Sequence, residues 1–317
     1  MNKVLTTLFC MLFVVGLHAQ QDIQYTQFMH NKLALNPAVA GSKGAPVLTA
    51  LARQQWFGLE GAPASQAVAF HGPLSRKRVG LGMVLTNDEI GFTRSTMLSG
   101  NYAYHIQVGD ETFLSAGINA SARQYQLDWD EARATQGGDP NLPQTGQSSQ
   151  IMANFGTGLF LYNDKFYAGV SAPRLLRNRL GFHNEGLGAE ALSREELHFY
   201  GMAGLMLPLG EKLTLKPALL VKYVDNAPID MDLHASLVWN QLISLGATYR
   251  TGGSMTRSVG ESIDVLLGLQ LSKQLRLGVS YDYTLTKINN FTPGSGEIFI
   301  EYTFLKNKNR LTNPRFF

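Results

Sequence analysis

Ile263-Asp-Val-Leu-Leu-Gly-Leu-Gln-Leu271 decides the fold, together with Leu275-Arg-Leu-Gly-Val-Ser-Tyr-Asp-Tyr-Thr284, which follows it after Ser272-Lys273-Gln274. In the first segment every odd position is apolar, and Asp264 and Gln270 fall between. In the second, Leu275, Leu277, Val279, Tyr281 and Tyr283 share one parity, and Arg276, Gly278, Ser280, Asp282 and Thr284 the other. Successive side chains of a strand point to opposite faces, so these are two strands with one greasy and one polar face. Each has roughly ten residues, the length of a tilted strand that crosses a bilayer. A third segment sets Ile298, Ile300, Tyr302 and Phe304 against Glu297, Glu301 and Thr303. In a soluble sandwich the apolar face would be the core. Its width and its Tyr/Phe ends here read as a lipid face, so the three segments are read as staves of a membrane barrel.

Working outward, the composition agrees. Charged residues make up 16% of the 317, below the roughly one quarter usual in soluble proteins, and there are 32 Gly, 12 Tyr and 17 Phe. Mean hydropathy is only −0.07, because apolar and polar positions alternate and cancel. A net charge of +3 with no basic block gives no support for a nucleic-acid partner. Residues 1–20 read as an export signal: Lys3, an apolar run from Leu8 to Val15, then Leu17-His18-Ala19 before Gln20. The single cysteine, Cys10, lies inside that run, so a lipid anchor on it is not expected. Export, no spanning helix and repeated bilayer-length strands point to a bacterial outer membrane.

About fourteen antiparallel strands are expected, over 47–56, 64–71, 79–87, 96–107, 111–123, 152–162 and 165–172, then 197–208, 212–224, 230–239, 242–250, 263–272, 274–285 and 296–305. Their connections alternate. Short ones surround Asp110, Asn163-Asp164, Gly210-Glu211, Asn240-Gln241 and Ser272-Lys273, with 72–78 the long member of that class. The other class is 57–63, 88–95, 124–151, 173–196, 251–262 and 286–295, with 225–229 its short member. Outer-membrane barrels have short periplasmic turns and long outer loops. Residues 21–46 precede the first strand without any alternation, and 306–317 form a periplasmic tail.

The chain resembles the PorP/SprF family of outer-membrane proteins of the type IX secretion system. The resemblance runs through Gln21-Asp22, Gln27-Phe28-Met29, Asn31, Leu35-Asn36-Pro37-Ala38 and Ala40-Gly41-Ser42. It continues in Arg53-Gln54-Gln55-Trp56-Phe57-Gly58, Gly61-Ala62-Pro63, His71-Gly72-Pro73-Leu74, Asn87-Asp88 and Ile90-Gly91. Later come Asn163-Asp164-Lys165-Phe166-Tyr167, Leu215-Lys216-Pro217, Ala227-Pro228, Tyr281-Asp282-Tyr283-Thr284-Leu285 and the ending Asn313-Pro314-Arg315-Phe316-Phe317. It implies a non-enzymatic barrel serving secretion, gliding motility or both. The implied partners are outer-membrane lipid, secreted cargo or a surface adhesin, and other secretion and periplasmic envelope components.

No residue pattern points to catalysis or a cofactor. The histidines are scattered without metal-ligand spacing, and His105 and His234 fall on the inward parity with no nucleophile signature nearby. Asp128, Asp130, Glu131 and Asp139 lack the spacing of a calcium loop and read as a solvated loop. Gly80-Leu81-Gly82 are strand glycines, because no helix follows them to bind phosphate.

Inward parity carries charges of both signs: Arg53, Arg123, Lys216, Lys222, Asp232, Asp264, Arg276, Asp282, Glu297 and Glu301. Of these, Arg276, Asp282 and Glu301 are the candidate lumen lining. A fourteen-strand barrel is too wide for wall side chains alone to fill. Either water fills it, as in a general porin, or protein does. Tyr25, Phe28, Leu33 and Leu35 make the 21–46 segment too apolar for a disordered tail, so it is expected to lie in the lumen. A periplasmic extension docked on a partner is the alternative. Trp56, Phe57 and Glu60, with the 173–196 loop, are the candidate cargo contact, although Trp56 also suits an ordinary interfacial girdle.

Overall fold

The computed structural model describes residues 23–74, 78–132, 146–180, 193–225, 227–252 and 260–305. The expected export signal, the tail after Leu305, Asp139 and much of the 124–151, 173–196 and 251–262 loops lie outside the described residues.

Fourteen antiparallel strands close into a barrel. They are β1 (Val47–Gln54), β2 (Ala64–Leu74), β3 (Val79–Ile90), β4 (Thr93–Gln107), β5 (Phe113–Asp128), β6 (Gln147–Tyr162) and β7 (Phe166–Ala172). The second half is β8 (His198–Leu205), β9 (Leu213–Val224), β10 (Asp230–Trp239), β11 (Ile243–Arg250), β12 (Ser262–Gln270), β13 (Leu275–Thr284) and β14 (Ser295–Thr303). Every strand pairs with its sequence neighbours. β1 then closes on β14, in register from Val47↔Thr303 to Gln54↔Gly296. Closure leaves no unpaired edge, the condition under which strands can lie in hydrocarbon. No helix among the described residues is long and apolar enough to cross a membrane.

The parity read from the sequence holds on the clearest staves, while β9 is partly buried on both faces. On β12, Ile263, Val265, Leu267 and Leu269 are exposed on the outer face, while Ser262, Asp264 and Leu266 are buried inside. On β4, Leu98, Tyr102, Tyr104 and Ile106 face out, and Ser99, Asn101 and His105 face in. The short turns gather at one end, with the start of β1 and the end of β14. At that end Asn240 and Gln241 take φ of 51° and 57° between β10 and β11. A two-residue hairpin of this handedness matches the twist of the strands it joins.

Two connections and one strand differ from the expectation. The 88–95 loop is a tight turn at Gly91 and Phe92, because β3 and β4 stay paired out to Ile90↔Thr93. Likewise β5 and β6 run on to Asp128↔Gln147, shortening the 124–151 loop. Apolar alternation ends before these strands do, since backbone pairing needs no greasy face above the bilayer; Glu89 and Arg94 hold the extension at 2.7 Å instead. The expected 197–208 strand breaks at Met206, whose N–H turns to the Lys165 carbonyl, and resumes as Leu207–Pro208 against β9.

The core sits inside the barrel. Residues 23–46 run through the lumen as a 3-10 turn (Phe28–His30), one helical turn (Lys32–Leu35) and a second 3-10 turn (Pro37–Val39). Phe28, Leu35, Ala38 and Val39 pack with Phe160, Tyr162, Tyr167, Tyr200, Met202 and Leu220. Leu33 and Ala40 meet Ala69, Val84 and Ala103, and Tyr25 meets Leu51, Ala67 and Phe299. Phe299 is an apolar residue on an otherwise polar inward parity, and the ring of His30 stacks on it at 4.1 Å. Burying a Phe or Leu contributes about 1.5–3 kcal/mol, so these clusters offset much of the entropy lost in ordering the segment.

Candidate functional site

A segment without a strand ladder must satisfy its backbone elsewhere, and the barrel wall supplies the partners. Glu297 on β14 accepts the N–H of Thr26 and that of Gln27, each at 2.8 Å. Arg53 on β1 donates to the Thr26 hydroxyl at 2.6 Å, and that hydroxyl donates to Asp282 on β13 at 2.7 Å. Further along, the Ser171 hydroxyl donates to the Leu35 carbonyl at 2.6 Å and that of Ser115 to the Ala38 carbonyl at 2.8 Å. His71 Nδ1 accepts the Gly41 N–H at 3.0 Å. His105 bonds the Ala40 carbonyl through Nε2 and the Tyr162 hydroxyl through Nδ1, a pattern the neutral ring satisfies with its proton on Nε2. His71 and His105 are thus fasteners for the N-terminal segment, whereas His234 bonds Thr248 of the neighbouring stave at 2.9 Å.

Asn36 joins the segment both to itself and to the wall. Its side chain accepts the Ala38 N–H at 2.9 Å and donates to the Leu159 carbonyl at 3.0 Å, bridging a helical cap to the wall. Close approach also requires glycine. A Cβ on Gly117 would collide with the backbone of Pro37 and Ala38, and one on Gly80 with the Ala40 carbonyl. The glycines read as ordinary strand residues are what let the segment lie against the wall. Inward glycine, serine and asparagine opposite a strandless apolar segment was the signal that could have found this contact.

The candidate lining residues are neither bare nor alike. Asp282 lies 2.6 Å from Arg53, and Glu301 lies 2.6 Å from Lys43 of the N-terminal segment. Arg276 donates to Gln270 at 2.8 Å on the neighbouring strand. Nearer the long-loop end, Lys222, Asp232 and Arg250 form a chain of ion pairs at 2.9 Å each, with Asp232 fully buried and Arg250 1% exposed. Charges lining a wide aqueous channel would be wet. These are dry. Where the segment leaves room, toward β9–β13, a cavity of about 350 Å³ remains, reaching the short turns.

At the long-loop end, the candidate contact residues have separate fates. Phe57 is half-buried, tied by its N–H to the Gly294 carbonyl at 2.8 Å and by its own carbonyl to Thr292, with its ring over Gly296. Trp56 donates its N–H to Ser295, and Glu60 is exposed. The base of the 173–196 loop folds toward the lumen. Asn154 holds the N–H groups of Leu175 and Leu176, and Glu195 reaches Arg123 at 3.4 Å. Among the described residues no cluster of His, Cys, Asp and Glu has the makings of a metal site.

Solved structures similar to this one include a FadL homologue of Pseudomonas aeruginosa, 11% identical over 85% of this chain and 93% of that one, with a TM-score of 0.47. Others are the monoaromatic hydrocarbon channel CymD (12% identity, 87% and 93% coverage, TM-score 0.48) and Acinetobacter baumannii Omp33 (7%, 82% and 98%, 0.45). No curated protein sequence matches the chain. A family model described as type IX secretion system membrane protein PorP/SprF matches residues 17–302. A closed barrel with an apolar outer band, matched by that model over nearly its whole length, is an outer-membrane protein, and the chain belongs to the PorP/SprF family.

Proposed function

We propose that this barrel serves type IX secretion without enzymatic activity, as a plugged outer-membrane element that holds secreted cargo or a surface adhesin and links it to the envelope machinery. The observation that carries the reading is the anchoring of residues 23–46 by Glu297, Arg53, Asp282 and Asn36. A general diffusion pore has no use for a segment fastened across its lumen by buried ion pairs. Trp56, Phe57 and Glu60 and the base of the 173–196 loop are the contact surface in this reading. Leu175 and Leu176 support it: both are exposed at the long-loop end, where the Leu175 N–H bonds the Phe155 carbonyl. Apolar residues grouped at such a rim suit a protein partner.

Two measurements test the proposal. In planar bilayers the intact barrel should conduct little, and deletion of residues 21–42 should open a conductance and lower thermal stability. A steady large conductance from the intact protein overturns the plugged reading in favour of a porin. Co-purification from native envelopes should recover cargo with the intact barrel and less with both rim loops shortened. Undiminished capture by the folded variant rules out the rim.

A further inference from the structure

Inside the long-loop half of the barrel, charges of opposite sign sit side by side on neighbouring staves. Lys222 and Arg250 flank Asp232, and Arg53 stands between Asp282 and Glu297. The pattern breaks between these two groups. There Asp264 of β12 lies directly opposite Asp282 of β13, so that two carboxylates face each other. Cross-strand partners have Cβ atoms about 4.5–5.5 Å apart, and like charges at that spacing repel. Arg250, on the adjoining β11, turns its Nε to Asp232 at 2.9 Å and makes no hydrogen bond to Asp264.

Asp264 is fully buried, and neither of its carboxylate oxygens accepts a hydrogen bond from the described residues. Asp282 is buried as well. Its Oδ2 serves Arg53 and the Thr26 hydroxyl, while Oδ1 has no partner. The same inward face carries Ser262 beside Asp264 and Ser280 beside Asp282, each two residues along its strand. These serines are 4% and 8% exposed, and both Oγ atoms lack a hydrogen-bond partner among the described residues. A carboxylate is buried at a high cost unless it is hydrogen-bonded or meets a counter-charge. Four neighbouring side chains therefore hold oxygens that lack the electropositive partner their burial demands.

We infer that Asp264, Asp282, Ser262 and Ser280 bind a hard divalent cation of the calcium class between β12 and β13. The donors are all oxygens, with no imidazole or thiolate among them, which suits calcium or magnesium better than the softer transition metals. Calcium takes about six to eight oxygens at about 2.3–2.6 Å in a forgiving geometry, so these side chains supply most of its shell and water the rest. Magnesium demands stricter geometry and gives up its waters reluctantly, which fits a dry wall less well. Two carboxylates alone fall short of a metal site, and the unpartnered hydroxyls make the difference. Bound there, the cation joins β12 to β13 and, through Asp282, to Thr26 of the N-terminal segment. The site is separate from the rim loops and does not depend on cargo binding there.

The test uses the full-length protein, refolded in lipid-free detergent and stripped with EDTA, because anionic lipids bind calcium themselves. Equilibrium dialysis against labelled calcium should show saturable binding, and added calcium should raise the temperature at which heat-shifted gel mobility changes. Asp264→Asn should lose both effects. Ser280→Ala, which removes one neutral ligand, should keep them with a higher Kd. Asp128→Asn, at the end of β5 and outside the site, should behave like the parent. Gel mobility at low temperature reports whether each variant is folded, and Ser280→Ala with Ser262→Ala stands in if Asp264→Asn is not. Absence of saturable binding by the folded parent overturns the proposal. So does binding that survives Asp264→Asn unchanged, that is indifferent to both serine substitutions, or that Asp128→Asn removes instead.

Discussion

Arg53 Nη1 on β1 stands 2.6 Å from Asp282 Oδ2 on β13, and both side chains are 2% exposed. β14 lies between these two staves and places Glu297 3.6 Å from the same guanidinium nitrogen. Thr26 of the N-terminal segment bonds all three of these side chains. The pair therefore joins barrel closure to lumen filling, because it spans the seam where the first strand, β1, pairs with the last, β14.

Removing the cation should be costly. Arg53→Met leaves Asp282 and Glu297 buried without their counter-charge, and the expected loss is about 3–5 kcal/mol. Arg53→Met combined with Asp282→Asn should recover part of it. Urea unfolding of the purified barrel, followed by tryptophan fluorescence, measures both. Equal stability of the single variant and the parent would mean that the pair contributes nothing.

On the lipid face, cost should follow depth. Val279 is exposed near the middle of β13, and Leu271 is exposed just past the end of β12. Val279→Arg should lose about 2–4 kcal/mol and Leu271→Arg about 0–1 kcal/mol, because charge penalties fade toward the interface. Refolding titrations into lipid vesicles give the order. Reversal would mean that the register assigned to β12 and β13 is displaced.

Asn36 should behave as a joint between segment and wall. Asn36→Ala strands the Ala38 N–H and the bond to Leu159, at an expected cost of about 1–3 kcal/mol. Limited proteolysis should then cut within residues 23–46 while leaving the staves intact. Unchanged protection of the segment would show that packing alone retains it.

Gly117 tests the close approach directly. A side chain there overlaps Ala38, so Gly117→Val should push the segment off the wall and cost about 1–3 kcal/mol through overpacking. Gly100 has open space around its missing Cβ, and Gly100→Ala should leave the segment in place. Bilayer conductance and proteolysis report the difference. Identical behaviour of the two variants would mean that the lumen yields to a side chain at position 117.

The amino-acid sequence alone determined the staves, because a bilayer demands that each one turn apolar side chains outward. That demand writes period-two alternation into the clearest strands, such as Leu98–Ile106 and Ile298–Phe304. Turn chemistry at Asn240-Gln241 and the contrast of short and long connections carried the topology in the same local way. The ends of β3–β6 were not legible, since pairing above the membrane needs no apolar face. Nor did parity say what filled the lumen. Inward polarity is the same whether water or protein lies inside, and Arg53, Thr26, Asp282 and Glu297 come from distant parts of the chain. Only closure of β1 on β14 brings them within 4 Å, where burial makes the charges find one another and ties residues 23–46 across the barrel.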